Sequence, residues 1–159
     1  MLAVTNYRTT TDIIAPYLEK APVNLEGMAG EMELEVSYEV LADDIAGKIE
    51  RLPSSGRYRI TVNQTHVPAR RRFTLAHEIA HFVLHRDLIG DGVTDSALYR
   101  SKLSSPLEQQ ANRFAADLLM PARLVRKKHR EGVVAYADMA AAFDVSAEAM
   151  RIRMRQVIG

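Results

Sequence analysis

Two histidines four residues apart, inside an apolar stretch, constrain this chain more than any other feature of its sequence. On an α-helix, His77 and His81 lie one turn apart and project from the same face. Residues 73–84 are mostly apolar, which predicts that this helix is largely buried. The histidines and Glu78 would then need partners, because unpaired burial of polar groups is costly. A bound metal ion would supply them.

The pattern His77-Glu78-Ile79-Ala80-His81 has the H-E-x-x-H spacing of zinc-binding helices. Two neutral imidazoles so placed can bind one Zn²⁺ at about 2.0–2.1 Å, although Mn²⁺ and Fe²⁺ also suit such ligands. Glu78 projects to one side of the pair, where a carboxylate can take a proton from a metal-bound water without being a ligand. The pattern fixes only three positions and also occurs by chance on helix surfaces, but the apolar flanks favour the metal-binding interpretation.

A catalytic zinc site needs a third protein ligand. His85 continues the four-residue spacing, but it stands two turns, about 11 Å, from His77, so we expect it to cap the helix, support a ligand or face the substrate. Glu108 is the better candidate, because the alanine-rich face of its helix would allow close packing on the first helix. An acidic residue that only favours the helix dipole is the alternative interpretation of Glu108. Asn112, one turn further, could hydrogen-bond one of the ligand histidines.

Several polar residues outside this group have weaker claims to a function. Tyr99 could stabilise an oxyanion, and Arg72 ends a run of three arginines that could dock an acidic segment, although a solvated cluster is the favoured interpretation. Near the C-terminus, Arg151, Arg153 and Arg155 could reach DNA phosphates. Alternate residues cannot share one helix face, however, so helix packing or substrate docking is favoured there.

The periodicity of the apolar residues predicts one domain, 1–159, with three regions. Region 1–66 would hold helices at 12–20, capped by Thr10 or Thr11, and at 24–29, then strands at 32–38, 45–52 and 58–63, the last two forming a hairpin. Region 67–121 would hold the metal-site helices 73–85 and 106–120, with a loop at 87–101. In region 122–159, helices 133–143 and 146–157 have a helix-turn-helix rhythm, with Ser146 capping the second.

Composition excludes several classes of protein. With no cysteine among 159 residues, the chain can have neither disulfides nor cysteine zinc sites, and a net charge of +1 does not indicate a nucleic-acid or membrane partner. No stretch approaches the roughly 18 apolar residues of a membrane helix, and the N-terminus lacks a signal-peptide pattern. We therefore expect a cytoplasmic protein with no membrane partner.

Two sequence blocks resemble the signatures of the ImmA/IrrE-type metallo-endopeptidases. They are residues 72–85, RFTLAHEIAHFVLH, and residues 108–121, EQQANRFAADLLMP. Residues 139–154 are more weakly similar to the C-terminal helix pair of that family. The resemblance implies an α+β fold: a small zincin-like domain with a short three-stranded antiparallel sheet, packed with helices, and a C-terminal helix-turn-helix-like pair.

The resemblance also implies roles for individual residues. His77, His81 and Glu108 would be ligands of one Zn²⁺, and Glu78 would be the general base. Family members typically cleave a helix-turn-helix transcriptional repressor, so the expected function is a zinc-dependent endopeptidase with a protein regulator as substrate. The alternative is a DNA- or protein-binding regulatory module on a peptidase-like scaffold, with a structural or vestigial metal site.

Overall fold

A computed structural model describes residues 9–96 and 105–159. It confirms the α+β zincin-like fold, in which helices cover a twisted sheet. The elements, in chain order, are α1 (Thr10–Tyr17), α2 (Leu25–Glu31), β1 (Glu35–Glu39), β2 (Ile45–Arg51), β3 (Tyr58–Asn63), α3 (Pro68–His85), β4 (Gly92–Ser96), α4 (Ser105–Leu119), α5 (Ala122–Arg130), α6 (Tyr136–Phe143) and α7 (Ala147–Val157).

The sheet has the strand order β1-β3-β2-β4 and is mixed rather than antiparallel. Strands β2 and β3 form the predicted antiparallel hairpin, whose turn includes Gly56 at a positive φ of 73°. Strand β1 pairs in parallel with β3, with Val36 opposite Ile60, so the predicted antiparallel arrangement is wrong for this strand. The chain reaches this topology because residues 40–44 pass across the end of β3 before β2 begins.

The Asn63 side chain, at the end of β3, holds this crossing segment in place. Its amide nitrogen donates to the carbonyl oxygens of Leu41, Ala42 and Ile45 at 3.3, 3.0 and 2.9 Å. Its amide oxygen accepts from the backbone N–H and the hydroxyl of Thr65, at 3.0 and 2.7 Å. One fully buried amide thus satisfies the backbone that would otherwise be left unpaired by the crossover.

The fourth strand lies within the segment that the sequence predicts as a loop. Strand β4 pairs antiparallel with β2, with Val93 opposite Ile49 and Gly92 opposite Glu50. A Cβ atom at Gly92 would lie 2.8 Å from the carbonyl oxygen of Ile49, so this strand can approach β2 only with glycine there. Glycine and aspartate are typical of turns, which is why composition favours a loop here.

Helix α3 packs across β2 and β3 on one side and against α4 on the other. Gly47 of β2 permits the close approach, because a Cβ atom there would lie 2.6 Å from the Thr74 methyl group and 2.7 Å from the Thr61 carbonyl oxygen. The helix begins at Pro68, five residues before the predicted start, because proline is well suited to the first helical turn. Its buried face fixes the orientation of the histidines relative to the sheet.

The short helices have well-defined ends. Thr9, rather than Thr10 or Thr11, caps α1 through a capping box in which its hydroxyl accepts from the Asp12 N–H and the Asp12 carboxylate accepts from the Thr9 N–H. Ser146 caps α7 as predicted, accepting from the Ala149 N–H at 3.1 Å.

In the part of the chain that the structure describes, no helix combines the length and apolar character that crossing a membrane requires.

Candidate metal centre

The three predicted ligands come together where α4 crosses α3. The Glu108 carboxylate places Oε2 3.2 Å from His77 Nε2 and Oε1 2.9 Å from His81 Nε2. The possible ligand atoms of these three residues all lie within 4.8 Å of one another. His77 and His81 are buried on α3, and Glu108 lies in the first turn of α4, so one carboxylate bridges two imidazoles. The group could hold a metal ion.

The outer nitrogen of each imidazole has a partner of its own. His77 Nδ1–H donates to Asn112 Oδ1 at 2.8 Å. His81 Nδ1 lies 3.1 Å from His85 Nδ1, and His85 Nε2–H donates to Gln110 Oε1 at 3.1 Å. Because the Gln110 oxygen can only accept, His85 carries its proton on Nε2, and its Nδ1 accepts from His81.

This pattern fixes the tautomers of both ligand histidines. With the protons of His77 and His81 on Nδ1, each Nε2 presents a lone pair toward Glu108, as a metal ligand must. Asn112 lies where the sequence predicts it, against a ligand histidine, and of the three roles expected for His85 its contact with His81 fits support of a ligand. The role of Gln110 was not predicted from the sequence. The signal that could have indicated it is the buried His85 at the end of α3, which needs a hydrogen-bond partner.

The charges of the group also suit a cation. Burial lowers the pKa of His81, and the nearby His77 and His85 act in the same direction against the raising effect of Glu108, so the net shift favours the neutral imidazole. Burial by itself raises the pKa of Glu108, but the close contacts of its carboxylate with His77 and His81 outweigh burial and hold this pKa well below its ordinary value. A neutral imidazole and an ionised carboxylate are the protonation states in which these side chains bind metals.

Glu78 lies next to His77 on α3 and is completely buried. Neither of its carboxylate oxygens has a hydrogen-bond partner among residues 9–96 and 105–159. Its carboxylate is not part of the group whose ligand atoms converge, although Glu78 adjoins His77 in the chain. Leaving a carboxylate buried and unpaired is costly, and a water bound at the adjacent site would give it a partner.

The sequence profile of the IrrE N-terminal-like domain, peptidase family M78, matches residues 36–155. The chain belongs to this peptidase family. The match takes in both metal-site helices and all of the sheet except Glu35, and it confirms the ImmA/IrrE resemblance. No protein in the search of curated sequences matches.

A solved structure, a Mycobacterium tuberculosis transcriptional regulator, has a similar fold. The TM-score is 0.60 at 18% sequence identity, and the alignment covers 91% of this chain and 46% of that chain. At this identity the similarity shows the fold alone. This M78 domain therefore spans about half the length of that regulator.

The weaker candidates lie elsewhere or outside the described residues. The Arg72 guanidinium donates to the Val23 carbonyl oxygen at 3.1 Å, and burial lowers the pKa of Arg72, so it ties α3 to the segment before α2. Tyr99 falls outside the residues that the structure describes. Arg153 is buried and pairs with Asp117 at 2.9 Å, so it links α7 to α4. Arg151 pairs with Glu148 on its own helix.

Proposed function

We propose that this chain is a zinc-dependent endopeptidase that cleaves a protein regulator, with a helix-turn-helix transcriptional repressor as its substrate. The proposal is supported most directly by the convergence of His77, His81 and Glu108 beside the buried, unpartnered Glu78. A purely structural zinc site is closed by protein ligands and has no use for a nearby base. Three ligands together with an uncommitted carboxylate suit hydrolysis.

The proposed ligands of the zinc ion are His77 Nε2, His81 Nε2 and the Glu108 carboxylate. Zinc held by these three residues would supply a coordinated water with a pKa of about 7 and would polarise a carbonyl group. Asn112 and His85 keep the two imidazoles in the tautomer and orientation that binding requires. The fit is good, since two nitrogens and one carboxylate form a common catalytic zinc set.

Glu78 acts as the general base in this scheme. Its carboxylate accepts a proton from the attacking water and then gives it to the leaving amine, which departs uncharged. Complete burial removes competing solvent from the carboxylate, and the absence of a hydrogen-bond partner in the described structure leaves both oxygens available. The same side chain thus serves as base and then as acid.

The test is co-incubation with candidate helix-turn-helix repressors from the same genome, those encoded near this chain first, followed by intact mass measurement. Wild type with one equivalent of zinc should convert the repressor into two fragments whose masses sum to that of the repressor plus water. A chelator should abolish the conversion. The Glu78→Gln variant should retain zinc and lose cleavage by at least about 10²-fold, the smaller end of general-base contributions.

Glu131→Gln provides a matched control, because it is the same change at an exposed position just after α5. It should cleave at the wild-type rate. Full cleavage by Glu78→Gln would refute the role of the base, and cleavage that persists in chelator would refute the metal. Tight repressor binding without cleavage in any variant would favour the regulatory scaffold instead.

A further inference from the structure

A cavity of about 620 Å³ lies beside the metal centre, between the start of α3, the middle of α4 and α7. Its wall is mainly apolar and includes Val67, Phe73 and Ile152, whose exposed fractions are 66%, 38% and 47%. Large apolar side chains on a protein surface are unremarkable when scattered, but a group of them around one concavity indicates a binding site. We call this cavity the apolar groove.

The apolar groove is continuous with the metal centre through two side chains. Asn112 lines the groove and accepts the hydrogen bond from His77, and the Phe73 ring lines it with its centroid 6.2 Å from that of His77. A chain lying in the groove would therefore run toward the metal ligands. The groove is placed to hold the part of a substrate next to the bond that is cut.

The charges at the groove differ between its interior and its rim. Arg153, at the base, is buried and neutralised by Asp117. Arg70 and Arg113 line the rim and are exposed, and within residues 9–96 and 105–159 neither has a carboxylate at ion-pair distance. Two uncompensated guanidinium groups beside an apolar wall favour an occupant that combines apolar side chains with carboxylates.

We propose that the apolar groove binds a segment of the protein substrate that carries large aliphatic side chains flanked by aspartate or glutamate. This inference rests on the proposed peptidase function, since it assigns the groove to the same substrate. The aliphatic side chains would cover Val67, Phe73 and Ile152, and the carboxylates would pair with Arg70 and Arg113. The groove would thereby select the sequence that is presented to the metal centre.

Binding can be measured separately from cleavage with Glu78→Gln protein and a fluorescein-labelled peptide of leucine and glutamate. Fluorescence anisotropy should show saturable binding, and matched peptides with serine for leucine or lysine for glutamate should bind at least about tenfold more weakly. Added in the same background, Ile152→Glu and Arg113→Glu should each weaken binding of the acidic peptide by about tenfold.

Two control variants lie away from the groove. Val134→Glu places the same charge at another exposed apolar side chain, and Arg130→Glu reverses a charge at the end of α5. Both should bind the acidic peptide as the parent does. Arg113→Glu should instead gain affinity for the lysine peptide, which a general loss of structure would not produce.

The outcomes separate this inference from the peptidase proposal. Saturable binding that follows the variants supports the groove even if the repressor is never cut. Made instead with Glu78 intact, Ile152→Glu and Arg113→Glu should raise the KM for cleavage, and an unaltered KM would overturn the groove and leave the peptidase standing. Equal binding of all three peptides would also overturn it. A dimer that Ile152→Glu dissociates, without peptide binding, would assign the groove to a second copy of the chain.

Discussion

Two fully buried polar side chains, Asn63 at the end of β3 and Glu78 in the middle of α3, are treated in opposite ways by the fold. Asn63 is surrounded by partners, since both ends of its amide are bonded to neighbouring backbone. Glu78 carries the more strongly hydrated group, yet its oxygens meet no hydrogen-bond partner in the described residues. The amide stabilises a crossover, and the carboxylate is the group that we propose as the general base.

The contrast separates structural polar burial from functional polar burial. Where a buried group only connects parts of a fold, its donors and acceptors are generally satisfied, because an unsatisfied one costs about 1–3 kcal/mol. Where a buried group must exchange protons, permanent partners would reduce its availability. Two histidines lie near these residues: His66 bonds the Asp43 carbonyl near Asn63, whereas His85 contacts His81, a candidate metal ligand.

The largest effect on stability should come from Asn63→Ala. The change leaves the carbonyl oxygens of Leu41, Ala42 and Ile45 without their donor, and we expect the free energy of unfolding to fall by about 3 kcal/mol. Urea denaturation followed by circular dichroism measures this, with zinc absent so that metal binding does not contribute.

Gln64→Ala is the matched control, because that side chain is exposed and adjacent. It should change the free energy of unfolding by no more than about 0.5 kcal/mol. If Asn63→Ala changed the free energy of unfolding as little as Gln64→Ala does, the crossing segment would not depend on the Asn63 amide. Asn63 would then no longer serve as the structural example in the comparison with Glu78.

Glu78 and Asn63 also differ in how far their roles can be predicted from the sequence. The helix periodicity around His77 and Glu78 is local, so the buried helix and its ligand pair are visible in a few turns of sequence. The prediction that Glu108 lies opposite them depended on the alanine-rich face of α4 and on the family resemblance. Asn63, by contrast, acts on backbone about twenty residues away, and no local pattern distinguishes it from an ordinary turn asparagine.

The sheet shows the same limit of local patterns. The β2–β3 hairpin is predictable because a turn joins neighbouring strands, whereas the parallel β1–β3 pair and the β2–β4 pair join segments far apart in the chain. The apolar groove likewise draws on three helices. Features that form where distant elements meet therefore cannot be predicted from the local periodicity of the sequence.

The second prediction concerns metal affinity rather than folding. His85→Ala removes the acceptor that holds the His81 proton on Nδ1, and we expect zinc affinity to fall about 10–100-fold. Competition with a chromophoric chelator measures the change. His85→Asn, which can still accept from His81, should recover part of the affinity.

His66→Ala is the control that sharpens the comparison, since it removes the histidine beside Asn63 and leaves α3 intact. It should lower stability and leave zinc affinity unchanged. If His66→Ala and His85→Ala weakened zinc binding equally, the orientation of His81 would not depend on His85, and general loosening of the fold would explain both results.

The smallest expected effect is a gain in the free energy of unfolding, opposite in sign to the effect of Asn63→Ala. In metal-free protein, Glu78→Gln replaces a buried carboxylate that has no hydrogen-bond partner by a neutral amide of nearly the same shape, so the free energy of unfolding should rise by about 1 kcal/mol. For a domain of this size, that corresponds to a melting temperature higher by about 2–4 °C, which differential scanning calorimetry resolves. The exposed Glu131→Gln should leave the melting temperature unchanged. A lower melting temperature for Glu78→Gln would mean that the carboxylate stabilises the metal-free fold, as Asn63 does. A higher melting temperature together with a loss of cleavage would instead identify Glu78 as a residue kept for function at the expense of stability.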